Sequence, residues 1–598
     1  MKLTQSSCLV LLVAALAAGC DAASDNADLP GGNSDVVDAD GFQSDGAPGD
    51  TSRDSTGDEF VPDSTDNGSF DVLGELDPTD NGSTDVTGEL VLTDDGSDVV
   101  TQKPAYMLIV TQDDLATVAG EWATYRRTRG FEVDVVTVTD LAGDAADAAT
   151  FRDAALARLG AERTSRGTDA RLFLMLLGDA PADGGAEQGR IPAHDCENTT
   201  PGQSGCWTDN RYVDLDGDRI PEIAAGRVPA RTEAEARTVL AKVMDFESNY
   251  QVGEWNRRVS LYVGEAGFSP EIDGLLQTAM MEGLKRVNHA FDILGAWDNS
   301  ASSYWYVPFN DKVVDLFNQG ALMTVYVGHG SESWTQGLTT DQVSKINCDK
   351  RRPFSLFFAC YAGNYASSKD SLAETLAFKA DGPVASFGAS DVSHPFGNAV
   401  LAYESQLKAL EMRYETIGEV LVALKRGLVE NNDEFRQFIA SAGAMDTSCD
   451  TPEKQEEILR QHNDMYNLLG DPATSMQYPR EIATFDAPSG TLASKSLNVS
   501  GTAPGIGSGT AIVSLETERD VILGALKPVN PDNPVSADVN ANWVVSNDKT
   551  IAHAEVAVTN GRFQATLGWT ADVAGGDYYL KIYAQDGTSD AIGVADFH

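Results

Sequence analysis

Apolar residues fall into two patterns along this chain, and the change comes near residue 482. Between residues 104 and 470, short runs of β-branched, aromatic and aliphatic residues alternate with longer stretches whose apolar positions recur every three or four residues. Runs of the first kind predict buried strands, and stretches of the second kind predict amphipathic helices. Strands are expected at 106–110, 131–138, 172–177, 258–263, 322–327, 354–359 and 384–387. Helices are expected at 115–129, 145–159, 232–250, 272–287, 313–319, 371–380, 401–412, 417–429 and 453–468. Asp144 stands where it would cap the second helix and Thr232 where it would cap the third. The alternation predicts an α/β region with a doubly wound, mostly parallel sheet and helices on both faces.

After residue 482 helical periodicity stops. Alternating segments at 497–500, 511–517, 552–558, 562–569 and 578–583 are punctuated by Gly, Pro and Asn. They predict an all-β sandwich like the immunoglobulin fold. A chain of 598 residues exceeds what one core supports. The expected division is 103–255 and 256–480 for two α/β subdomains and 481–598 for the sandwich.

The first hundred residues read differently. Lys2, an apolar core at 9–18 and small residues before Cys20 form an export signal. The ending Leu16-Ala17-Ala18-Gly19-Cys20 resembles a lipoprotein cleavage site, which would anchor the chain to a membrane through lipid on Cys20. An ordinary signal with a chance Cys is the alternative. Residues 21–102 then form an acidic spacer: from Asp21 to Val100 there are 22 Asp and Glu against one Arg. Such a segment cannot bury enough apolar surface to offset chain entropy, so disorder is expected. The formal net charge of −48 argues against nucleic acid as a partner. The expected location is outside the cytoplasm.

An exported chain tends to pair its thiols. Cys196 and Cys206 flank a short Gly-, Pro- and Thr-containing loop and are expected to join; Cys348 and Cys449 are available for a second bridge. That leaves Cys360 as the odd thiol, a candidate for reactivity. A zinc site made by His194, Cys196 and Cys206 competes, but it lacks a fourth ligand. Asp214, Asp216, Asp218 and Glu222 surround a Gly turn and offer several hard oxygens from a short loop, which suits a structural calcium ion. An acidic surface hairpin is the alternative.

The chemistry concentrates in residues 322–365. One apolar run ends in Gly328-His329-Gly330-Ser331 and the next in Cys360-Tyr361-Ala362-Gly363-Asn364, so a His and a Cys each follow a strand's carboxyl end. Open α/β sheets build their sites at that edge. A thiol needs a base or a lowered pKa to attack, and an imidazole can supply the first and then protonate the leaving amine. The N–H groups of Gly330 and Cys360 are candidates for stabilising the oxyanion. The reaction requires no cofactor. Glu265 stands after a third strand, in Gly264-Glu265-Ala266-Gly267.

With Gly328-His329-Gly330-Ser331-Glu332 and Ala359-Cys360-Tyr361-Ala362-Gly363-Asn364 in this order, the chain resembles a gingipain-type cysteine peptidase of the caspase-like group. The likeness spans roughly 104–598. It takes in Leu176-Leu177-Gly178-Asp179, Gly226-Arg227, Leu469-Gly470-Asp471-Pro472 and the trailing sandwich. It implies a caspase-like doubly wound catalytic domain in two similar halves, with the site in the second. It implies an endopeptidase acting on protein or peptide substrates, with Cys360 as nucleophile, His329 as general acid and base, and Glu265 supporting His329. It further implies an acidic residue in the first substrate pocket. Asp273 falls near that place and would favour Arg or Lys, unless it only caps the following helix. Residues 388–395 should line the same pocket without the family's aromatic wall. Two other readings stay open: a catalytically silent caspase-like domain displayed for binding, and a transpeptidase on the same site.

Overall fold

The computed structural model describes residues 104–597 apart from 145, 197–205, 266–276, 278–279 and 574–575. The export signal with Cys20, the acidic spacer and Asp273 lie outside the described residues. Ten strands form one sheet. In chain order the α/β elements are β1 (Tyr106–Thr111), α1 (Ala116–Thr128), β2 (Glu132–Thr137), α2 (Ala148–Arg166), β3 (Leu172–Leu177), β4 (Ala224–Val228) and α3 (Glu233–Ser248). Next come β5 (Arg258–Val263), β6 (Asp292–Trp297), α4 (Phe309–Gln319), β7 (Met323–Val327), β8 (Phe354–Phe358), α5 (Leu372–Phe378), β9 (Ala385–Ala389) and α6 (Pro395–Met412). The α/β part ends with α7 (Ile417–Glu430), α8 (Glu434–Gly443), α9 (Pro452–Met465) and β10 (Tyr466–Leu469).

The strand order is β2-β1-β3-β4-β10-β9-β8-β7-β5-β6. Each half therefore winds alike: its first strand lies between its second and third, and its fourth follows the third. The strand β10 is parallel to β4 and antiparallel to β9, so the two halves run in opposite senses. The carboxyl ends of β5, β7, β8 and β9 consequently meet at one edge, away from those of β1, β3 and β4. Side chains alternate across the sheet. Val325, Leu356 and Phe358 enter one core and Tyr326 and Phe357 the other. Each large apolar side chain fully buried this way contributes about 1.5–3 kcal/mol.

Several expectations shift. Asp147, not Asp144, accepts the N–H of Thr150 and starts α2. The last helix stops at Met465, and residues 466–468, expected to continue it, belong to β10. Strand β6 and helix α8 were absent from the sequence reading. The motif residues Gly226-Arg227 and Leu469-Gly470-Asp471-Pro472 join the halves. A Cβ on Gly226 would stand 2.5 Å from the Gly470 carbonyl oxygen, so only glycine admits that approach. Arg227, fully buried, pairs with Asp209 at 2.7 Å and lies over the Tyr365 ring. Asp471 accepts from Trp122 Nε1 at 2.5 Å and Arg126 Nε at 2.8 Å, tying the end of β10 to α1.

The C-terminal part contains β11 (Ser496–Thr502), β12 (Ser508–Thr517), α10 (Ser536–Asn547), β13 (Thr550–Thr559), β14 (Arg562–Gly568), β15 (Tyr578–Gln585) and β16 (Asp590–Phe597). Their inward residues, including Leu497, Val513, Leu567 and Ile582, make a separate core. Strand β13 pairs fully with β12 and β14 fully with β11, but β13 meets β14 only at Thr559 and Arg562. That hairpin joins the two parts of one nine-stranded sheet. Helix α10, unforeseen, covers the outer strand β6. There Asn547 accepts the N–H of Gly295 at 2.8 Å and donates to its carbonyl at 3.0 Å. This occupies backbone groups that an uncovered edge would leave open to other chains.

Candidate active site

The site is built by strand register. Val327 of β7 is level with Phe358 of β8 and with Val263 of β5. Two residues further along each strand stand His329, Cys360 and Glu265. On the other flank Phe357 is level with Gly388 of β9, so Asp391 comes level with Cys360. Three parallel strands therefore deliver the expected residues to one edge. The connection from β7 turns back as Gly330–Ser331, Trp334–Thr335 and Leu338–Thr339, a small antiparallel sheet. A Cβ on Gly330 would lie 2.9 Å from Ala359 Cβ and 3.1 Å from the Cys360 carbonyl oxygen. Glycine is what lets the His loop rest on the Cys turn.

Both loops are pinned. The buried Tyr326 hydroxyl donates to the His329 carbonyl at 2.6 Å and accepts the N–H of Gln336 at 3.2 Å. Glu332 accepts from Asn364 Nδ2 at 2.9 Å, and its carbonyl accepts the N–H of Leu372 at 2.6 Å. Tyr361, next to Cys360, has φ of 59°, a left-handed turn that side chains rarely adopt. It is held by its N–H to the Asp391 carbonyl at 3.0 Å and by that of Gly363 to Ala389 at 2.8 Å. The turn costs about 1–3 kcal/mol and aims Cys360 outward from the strand.

Cys360 is half-buried. Its Sγ accepts the N–H of Ser393 at 3.4 Å, with Ser393 Oγ at 3.8 Å. Burial pushes the thiol pKa up, and the Asp391 carboxylate adds to this; the two Ser393 donors work against them. The resting group is a thiol, and reaction requires a base. Glu265 is exposed at the end of β5. Its neighbour is Asp298, at the end of β6, whose carboxyl is raised by burial first and by Glu265 second. Glu265 is marked in the sequence by its place after a strand, whereas Asp298, Tyr326 and Ser393 carry no such local signal. Tyr326 reads as an ordinary strand residue, and Ser393 acts partly through its backbone.

Residues 388–395, expected to line the pocket, bring Ser393 to Cys360. His394 instead caps α6, its Nδ1 accepting the N–H of Phe396 at 3.1 Å. Trp334 stands 39% exposed beside the His loop, an aromatic side chain the sequence reading did not single out.

The Cys196–Cys206 bridge is present, which removes the zinc alternative with His194. Cys348 and Cys449 are not joined; both are free and buried. Cys348 packs in the core containing Tyr326 and Cys449 in the one containing Val325, so the sheet lies between them. Cys360 is thus one of three free thiols among the described residues, and counting alone does not single it out. Its position does: burial pushes Cys348 up to about 12 and Cys449 up to about 11, and neither stands at the strand-end edge.

Asp214, Asp216, Asp218 and Glu222 do converge, with carboxylate oxygens within 4.8 Å of one another. They also accept backbone N–H groups of the same loop, as Asp214 does from Gly217 at 2.9 Å and Arg219 at 3.0 Å. Burial raises the carboxyls of Asp214 and Glu222. A four-carboxylate, all-oxygen set fits a hard divalent cation.

Comparisons with known proteins bear on the family and the fold. The model of the family described as peptidase family C25 matches residues 100–477. A solved structure described as a protease is 17% identical, with a TM-score of 0.50 over 83% of this chain and 97% of that one. The Arg-specific cysteine proteinase gingipain R is 17% identical, with a TM-score of 0.47 over 83% of this chain and 99% of that one. The complex of pro- and mature domains of RgpB from Porphyromonas gingivalis is 17% identical, with a TM-score of 0.47 over 82% and 99%. At such identities the likeness is one of fold. No curated protein matches the chain.

Proposed function

Because this chain belongs to peptidase family C25, and is a cysteine peptidase by that membership, we propose that it is an exported endopeptidase working through Cys360 and His329. The observation that carries the reading is the shared register of β7 and β8, which sets His329 and Cys360 level on adjacent strands. His329 takes the proton of the Cys360 thiol as Sγ attacks the scissile carbonyl. The oxyanion of the tetrahedral intermediate receives the N–H groups of Gly330 and Cys360. Collapse breaks the C–N bond, His329 returns the proton to the departing amine, and a thioester remains on Cys360. Water, deprotonated by His329, then attacks the thioester and releases the second product with the thiol restored. Glu265 orients the imidazole and stabilises its charged form.

The other parts of the reading rest on fewer observations. A carboxylate in the first pocket, the role the resemblance implies for Asp273, would select Arg or Lys at the cleavage point. Asp214, Asp216, Asp218 and Glu222 hold a calcium ion that stiffens their loop and takes no part in the chemistry. Lys2, the apolar core and Cys20 support export with a lipid anchor. Profiling the reduced, calcium-loaded protein on a broad peptide library tests the proposal. Cleavage that disappears in Cys360→Ala is the expected result. No cleavage together with no labelling of Cys360 by a peptide electrophile would favour a silent binding domain. Joined rather than hydrolysed products would indicate transpeptidation.

A further inference from the structure

Cys360 is approached from two sides. His329 comes from β7, on one flank of β8, and Ser393 from the connection after β9, on the other. The Ser393 side is a chain of buried hydrogen bonds. Tyr466 Oη donates to Asn398 Oδ1 at 2.6 Å, Asn398 Nδ2 donates to Ser393 Oγ at 2.7 Å, and Ser393 Oγ lies 3.8 Å from Cys360 Sγ. Ser393, Asn398 and Tyr466 are 1%, 8% and 0% exposed, so water does not compete for these bonds.

The direction of each bond follows from its neighbour. Because Tyr466 donates to the amide oxygen, the Asn398 NH2 group is turned toward Ser393. Because Asn398 donates to Ser393 Oγ, that oxygen's own proton is left to point elsewhere: Sγ is one acceptor within reach and the Tyr466 hydroxyl oxygen is another. The Tyr466 ring is held among Phe358, Phe387 and His462, with centroids 6.0, 5.4 and 5.8 Å away. The order thus begins in the packed core and ends on the sulfur.

We infer that Ser393 is a positioning residue for the nucleophile, with Asn398 and Tyr466 fixing its hydroxyl so that it donates to the sulfur of Cys360 as the thiolate forms. This rests on the reading of Cys360 as the nucleophile. The groups whose charge bears on Cys360 are Tyr326 from β7, Tyr361 of its own turn, Asp391 after β9 and Tyr466 of β10, and His329 stands level with it after β7. The Asp391 charge disfavours the thiolate. A hydroxyl and an N–H donating to the sulfur oppose it, and such bonds strengthen when the acceptor becomes charged. No atom is gained or lost: His329 takes the proton, and Ser393 keeps its own.

The rate of Cys360 alkylation by iodoacetamide against pH, with the modified residue identified by mass spectrometry, reads thiolate formation without requiring peptidase turnover. Ser393→Ala should lower alkylation below the midpoint about tenfold and move the midpoint upward, while the melting temperature falls by a few degrees because Asn398 loses its acceptor and the fold persists. Ser393→Thr should restore the midpoint. Tyr466→Phe, a milder change, should move it in the same direction by about twofold to threefold in rate, and Ser393→Ala/Asn398→Ala should match Ser393→Ala alone. An alkylation profile of Ser393→Ala that overlays the parent's, or a double variant whose effects simply add, would overturn the inference. Peptidase activity persisting in Cys360→Ala would instead overturn the nucleophile assignment and leave the alkylation result readable.

Discussion

Val327 of β7 and Phe358 of β8 lie opposite one another in parallel register, and the residues two positions beyond them are His329 and Cys360. A slip of one residue would turn every side chain of one strand to the other face of the sheet. The core therefore enforces the alignment that the proposed chemistry needs: Phe358 and Val325 are buried in one core, Phe357 and Tyr326 in the other.

Cys360→Ala should abolish cleavage, and His329→Ala should lower kcat/KM at least about a thousandfold, as removal of one member of a nucleophile–base pair does elsewhere. Steady-state assays on the best library peptide measure both. Retention of a tenth of the activity in either variant would contradict the assigned roles.

Glu265→Gln should lower kcat about ten- to a hundredfold and leave KM nearly unchanged, because in the proposed mechanism it acts on His329 and not on the substrate. Its exposure means that the melting temperature should hardly move. If KM rises while kcat holds, Glu265 belongs to substrate binding instead.

Removing calcium should lower the melting temperature by several degrees. A ligand at about a hundredfold excess over Kd stabilises by about 2.7 kcal/mol. Asp216→Asn/Asp218→Asn should abolish the difference between calcium and chelator. Equal melting curves for the parent in both conditions would remove the ion from this loop.

Acid should destabilise the fold through His462. Its Nε2 accepts the N–H of His394 at 3.0 Å and its Nδ1 bonds the Ile458 carbonyl at 2.8 Å. Burial first, then His394, push its pKa down to about 4 from 6.5. Between those values the unfolded chain binds a proton that the folded chain does not, so stability falls as pH drops from 6.5 toward 4. The loss reaches about 3 kcal/mol at the lower end. Urea unfolding at pH 4.5 and 7 should show a smaller difference in His462→Gln than in the parent.

Asp209→Ala should cost about 3–5 kcal/mol, because it leaves the fully buried Arg227 without its carboxylate. A denaturant melt within about 1 kcal/mol of the parent would mean that the carbonyls around Arg227 suffice.

The pieces legible in the sequence were those with local causes. Strand runs followed by Gly-His-Gly-Ser and Ala-Cys-Tyr-Ala placed His329 and Cys360 at strand ends, and Cys196 and Cys206 were close enough to pair by proximity. Local cues failed where a partner distant in sequence decided the outcome. Tyr466 to Leu469 follow a helix without a break, yet β9 takes them as a strand because Ser386 to Ala389 offer backbone partners there. Cys348 and Cys449 looked pairable until the sheet separated them.

By itself, then, the sequence determined the alternation of elements, the placing of His329 and Cys360 just after strand ends, and the acidic loop, since each depends on residue types a few positions apart. Only the tertiary structure decided that the two halves run in opposite senses, that Asp298 stands beside Glu265 and that Ser393 and Tyr466 reach Cys360. Those relations join residues 33 to 106 positions apart, and they are set by backbone pairing and burial, which no short stretch of residues encodes alone.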